Sequence, residues 1–159
     1  VDADEDGLPD VDASGMVINN RCVSCHSPVD AMNAARVPAG QLDLSDGPSD
    51  QQADHFKSYR ELLFTDNEQE VNMGALQDRL VDGPIDPVTG LPTQVTVPVP
   101  PSMVAGNARA STRFFSQFEN GGGTVDHRGF LTRAELRLIA EWLDIGAQYY
   151  NNPFDAPLN

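Results

Sequence analysis

The sequence predicts a mainly α-helical fold with a small β-hairpin inserted into it. Three observations carry that expectation. Apolar residues recur at helical spacing near residues 14–26, 51–64, 107–119 and 133–145. A cluster of turn residues, Asp86-Pro87-Val88-Thr89-Gly90, is flanked by weakly alternating runs at 76–81 and 93–99. The length, 159 residues, suits one domain with a short appendage.

The appendage is the acidic opening, residues 1–13. Asp2, Asp4, Asp6, Asp10 and Asp12 occupy loop positions 1, 3, 5, 9 and 11 of an oxygen-ligated calcium loop, with Gly7 at the sharp turn. Ala13 stands where the bidentate glutamate would be, so calcium would need a carboxylate from elsewhere. The stretch resembles the aspartate-rich thrombospondin type 3 repeats of secreted proteins. The bland alternative is an acidic linker, and both readings stay open.

Ser14 is a candidate N-cap for the first helix, on which Ile18, Cys22 and Cys25 share a face. Residues 27–49 read as loop, anchored by Leu42 and Leu44. The second helix, 51–64, is expected to bury Phe56, Tyr59 and Leu63. Pro98, Pro100 and Pro101 stop the hairpin. The third helix carries Phe114, Phe115 and Phe118 and ends at Gly121-Gly122-Gly123. The fourth has the clearest signals. Thr132 and Glu135 make a capping box, and Gly146 terminates it. Its rows Leu136/Ile139/Leu143 and Leu138/Trp142/Ile145 predict burial over more than half its circumference. The tail from Tyr149 reads as aromatic surface packing.

The chemistry is concentrated in Cys22-Val23-Ser24-Cys25-His26. Two thiols one helical turn apart, followed at once by a histidine, form the attachment pattern of a c-type haem. Both sulfurs can form thioethers to porphyrin vinyl groups, and the adjacent imidazole can serve as proximal iron ligand. A redox CxxC pair would want a βαβ context, and a structural zinc site would need a second ligand pair. The chain has no other cysteine. One covalent haem c is therefore the expected cofactor, bound by Cys22 and Cys25, with His26 on the iron.

The charge balance narrows the partners. With 24 acidic against 10 basic residues, the formal charge is −14. No Lys/Arg cluster is present to meet phosphates, so nucleic acid is excluded as a partner. No apolar run reaches membrane length, so no insertion is expected. Because c-type haem attachment takes place outside the bacterial cytoplasm, an exported setting, periplasmic or extracellular, is expected. No signal peptide appears within the sequence, and its first residue is Val1, so it reads as a mature fragment or excised domain, expected to be part of a larger multidomain protein.

Further stretches extend the pattern. CVSCH, AGQLDLSDG at 39–47, VAGNARASTRFF at 104–115 and LTRAELRLIAEWLDIGA at 131–147 follow in an order that resembles the monohaem planctomycete-type cytochrome c modules. The chain is also similar to cytochrome domains related to the hydrazine synthase alpha subunit. The resemblance implies a cytochrome c-like helical domain around the haem, spanning 14–159, with an insertion at about 65–100. It also implies a distal methionine shortly before the last helix. Here that place reads Gly123-Thr124-Val125-Asp126-His127-Arg128-Gly129, so His127 is the first-choice distal ligand. Met103, after Pro100-Pro101-Ser102, is the alternative. His55 reads as a surface or supporting residue, and Met16, Met32 and Met73 read as apolar packing.

Bis-histidine ligation predicts a low-potential, six-coordinate carrier that relays electrons to or from a redox partner protein or domain. The competing expectation is a catalytic haem domain, peroxidase-like or hydrazine-synthase-like, with a labile distal site and Asp126 and Arg128 as proton-handling groups. A weaker third is a sensor or structural domain stapled by its haem.

Overall fold

Contacts of both side chain and backbone decide where the helices stop. A computed structural model describes residues 21–120 and 125–149. These hold four short helices and three two-stranded antiparallel sheets, about 30% helix and 22% strand. The mainly α expectation is thus overturned, and the shortening of the helices accounts for part of it. The helix predicted at 51–64 is only Lys57–Leu63 (α2; α1 is Arg21–Cys25). Before it the backbone is tied into turns, with the Ser49 amide donating to the His55 carbonyl at 2.8 Å. Phe56 stands extended at the cap and is 63% exposed rather than buried.

The helix predicted at 107–119 is broken by Ser111, which is buried. Its hydroxyl accepts from the Val104 amide (2.8 Å) and donates to the Asn107 carbonyl (3.2 Å). A 3-10 turn, Ala108–Ala110, therefore precedes α3, Thr112–Asn120. Side-chain hydroxyls that bond the backbone compete with the helix in this way.

The insertion forms more strand than one hairpin. β1 (Asp66–Asn67) pairs β6 (Pro98–Val99), β2 (Gln69–Asn72) pairs β3 (Ala75–Asp78), and β4 (Leu80–Ile85) pairs β5 (Pro92–Thr96). The last hairpin turns through Asp86, whose carboxylate accepts from the Val88 and Thr89 amides. Gly83 is required in β4, because a Cβ there would lie 2.8 Å from Thr93 Oγ1. β3 overlaps the run expected at 76–81 but pairs β2, which the sequence does not announce because it is mostly polar and has no buried alternating face.

The described residues divide into two compact units. One is Cys22–Pro101; its most buried residues are Pro38 and the polar Ser27, Asp43 and Ser49. The other holds Arg21 and residues 102–120 and 125–149, with Met103, Ala108, Ser111, Leu143 and Ala147 buried. In it α4, Arg133–Asp144, has the predicted capping box: Thr132 Oγ1 accepts from the Glu135 amide, and the Glu135 carboxylate accepts from the Thr132 amide. Asp144 accepts from the Ala108 amide at 2.8 Å, fastening α4 to the 3-10 turn. Of its two apolar rows, Leu136, Ile139 and Leu143 face inward to differing degrees. Leu138 and Ile145, predicted to be buried, are 67% and 66% exposed.

Candidate haem-attachment site

α1 is a single turn ending in the motif. Cys22 and Cys25 are exposed, unbridged thiols, and the Ser24 hydroxyl lies 3.9 Å from the Cys25 sulfur. The His26 amide donates to the Cys22 carbonyl at 2.8 Å, so the helical turn continues through the histidine. The His26 carbonyl accepts from the Leu44 amide at 2.9 Å. The backbone of His26 is therefore held on both sides, while the two sulfurs remain open. Two accessible thiols and an adjacent imidazole are the donor set that a thioether-bound haem requires, and the chain fits that group.

The segment after the motif folds back on it. Asp30 accepts from the Met32 and Ala34 amides (2.8 and 2.9 Å), winding a tight loop. A bridge between Val29 and Ala35 closes it. Arg36 is thereby returned to the end of α1, where Nη2 donates to the Ser24 carbonyl (2.7 Å) and Ser27 Oγ (2.8 Å). Its Nε donates to the Ser27 carbonyl at 3.1 Å. A cation there satisfies carbonyls that a helix end leaves open. Arg36 escaped the sequence reading because nothing local marks it; only the loop brings it to the motif.

His127 and Met103 belong to the other unit. The His127 ring is half-buried between two phenyl edges, with centroids 5.9 Å from Phe118 and 5.6 Å from Phe130. Phe118 in turn lies 5.0 Å from Phe114, which meets Phe115 at 5.2 Å. The capping box at Thr132 fixes the chain that follows this loop. Met103 is only 2% exposed and belongs to the buried set of its unit. Asp126 and Arg128 are engaged with each other, Nη2 to Oδ2 at 2.6 Å. The Arg128 side chain holds the Asp126 carboxyl down at about 2.

His55 packs edge-on against Tyr59 at 5.1 Å, a structural contact in the first unit. Met73 is fully exposed at the β2–β3 turn and Met32 lies on an exposed loop, so apolar packing does not explain either. Asp2, Asp4, Asp6 and Asp10, the proposed calcium ligands, lie outside the described residues, as does Met16. Among the described residues no three His, Cys, Asp or Glu are gathered for a metal ion.

A carboxylate network near α2 was not anticipated. Buried Asp43 bonds Lys57 at 3.1 Å, and its amide donates to Glu61 Oε2 at 3.2 Å. Burial pushes the Glu61 carboxyl up to about 8, opposed by the Asp43 amide and reinforced by Asp66. Asp66 accepts from Gln51, and Gln51 accepts from Arg60. Its signal in sequence is faint, since Asp43 reads as one more loop aspartate.

Among the described residues no helix is long and apolar enough to cross a membrane. No protein-family model, curated protein or solved structure matches the chain.

Proposed function

We propose that this chain is an exported monohaem c-type cytochrome domain that carries single electrons to or from a redox partner protein or domain. Cys22 and Cys25 hold the haem through thioethers, His26 is the proximal ligand and His127 the distal one. The observation that carries this reading is the attachment turn itself. Two open thiols lie on α1, and the His26 backbone is fixed by bonds to Cys22 and Leu44. When bound, the group supplies one-electron iron chemistry.

The chain's own residues set the terms of that chemistry. A half-buried imidazole among phenyl edges suits a distal ligand better than Met103, whose burial within its unit already explains a thioether. The catalytic alternative draws less support. Asp126, kept ionised by Arg128, is a poor proton donor near neutral pH.

Absorption spectra of the ferric and ferrous protein, with and without carbon monoxide, test the proposal. A low-spin spectrum that carbon monoxide leaves unchanged is the expected result. Rapid carbon monoxide binding would favour a catalytic domain.

A further inference from the structure

Arg36 is the side chain that the proposed function does not use and that the fold goes to most trouble to place. Loop 27–36 is built from an Asp30-centred turn, the Val29/Ala35 bridge and a bond from the Arg36 amide to the Pro28 carbonyl (2.9 Å). Its result is a guanidinium spread over the Ser24 and Ser27 carbonyls and the Ser27 hydroxyl, on either side of His26. The Ser27 hydroxyl donates onward to the Val29 carbonyl at 2.7 Å, which orients its acceptor lone pairs toward Arg36. Ser27 is buried and Arg36 half-buried. Among the described residues no carboxylate pairs with Arg36; the ion pairs formed there are those of Lys57, Arg79, Arg128 and Arg137. In a chain of net charge −14, a cation that no carboxylate among the described residues pairs with is conspicuous.

We infer that Arg36 is the positioning and potential-setting residue of the attachment turn. It locks the backbone on both sides of His26 and raises the midpoint potential of the iron ligated there. The inference rests on the proposed haem function and specifies how that site is tuned. The physical reason is Coulombic. The ferric state carries one more positive charge than the ferrous, so a fixed nearby cation disfavours it. Partial burial limits screening by salt, and the fork of carbonyl bonds prevents the cation from swinging away. The otherwise acidic chain pulls in the opposite direction, which Arg36 offsets locally.

The test compares haem-loaded wild type with Arg36→Gln and Arg36→Lys by potentiometric titration. Hydrogen exchange of amides 24–36 is measured in the same chains before haem is attached. The expected result is a lower midpoint potential in Arg36→Gln and a smaller fall in Arg36→Lys, which keeps the charge but not the fork. Faster exchange across 24–36 is expected in both haem-free variants. Unchanged potential in the haem-loaded variants would overturn the inference, and so would an equal fall in both, because charge would then have no part. If Arg36→Gln does not mature, Arg36→Lys alone decides: an unaltered potential with unaltered exchange overturns it. A wild-type chain that takes up no haem would overturn the function itself, and the inference with it, a failure recognised by the missing haemochrome spectrum.

Discussion

In the unit Cys22–Pro101 the residues most withdrawn from water are Ser27, Pro38, Asp43 and Ser49, whereas the second unit buries Met103, Ala108, Leu143 and Ala147 around Ser111. The first is held by directed bonds: Arg36 to the Ser24 and Ser27 carbonyls, Lys57 to Asp43, Asp43 to Glu61, and the ribbon ladders. The second is held by a small apolar core and a well-capped helix. Hydrogen bonds fix position while adding only about 0.5–1.5 kcal/mol each, and apolar burial supplies cohesion with little directional demand. The contrast teaches where each kind of residue belongs. The turn that carries Cys22, Cys25 and His26 is fixed by polar contacts, and the unit that holds His127 is stabilised by packing.

The sharpest way to break that contrast is to remove the sulfurs. Replacing Cys22 and Cys25 together by Ala should abolish haem retention through denaturing electrophoresis, while single replacements leave a weaker single-thioether product. The next largest effect separates ligand from core. His127→Ala should convert the low-spin spectrum to one that binds carbon monoxide, with little change in unfolding midpoint. Met103→Ala should keep the spectrum and lose about 2–5 kcal/mol in denaturant titration, as core methionines do. The reverse pairing would transfer the distal role to Met103.

How much of this could be read beforehand differs between the units for the same physical reason. The α4 capping box, its Leu136/Ile139/Leu143 row and the CVSCH motif are local patterns, and local patterns survive in sequence. The Arg36 clamp and the Asp43–Lys57–Glu61 network join residues from different segments, and no local spacing announces them. The mainly α expectation went astray where the Ser111 hydroxyl bonds the backbone, where backbone turns tie the chain ahead of Lys57, and where mostly polar strands such as Gln69–Asn72 lack a buried alternating face. Leu138 and Ile145 show that apolar identity alone does not ensure burial.

Smaller effects sharpen the comparison further. Thr132→Ala removes the α4 cap and should cost about 1 kcal/mol, read from the unfolding midpoint. Glu61→Gln tests the polar unit through pH. Because Glu61 keeps its proton up to about 8 when folded but has an ordinary value of 4.5, the folded chain binds more protons between those limits. Stability should therefore fall as pH rises from about 4.5 to about 8. Glu61→Gln should flatten that slope in thermal melts across the same range.

The most direct measurement is the intact mass and alkaline pyridine spectrum of the chain after expression in a host competent for c-type maturation. One haem added covalently, a haemochrome spectrum, and no thiol left to alkylate at Cys22 or Cys25 are expected. An unmodified mass with both thiols free would contradict the proposed function.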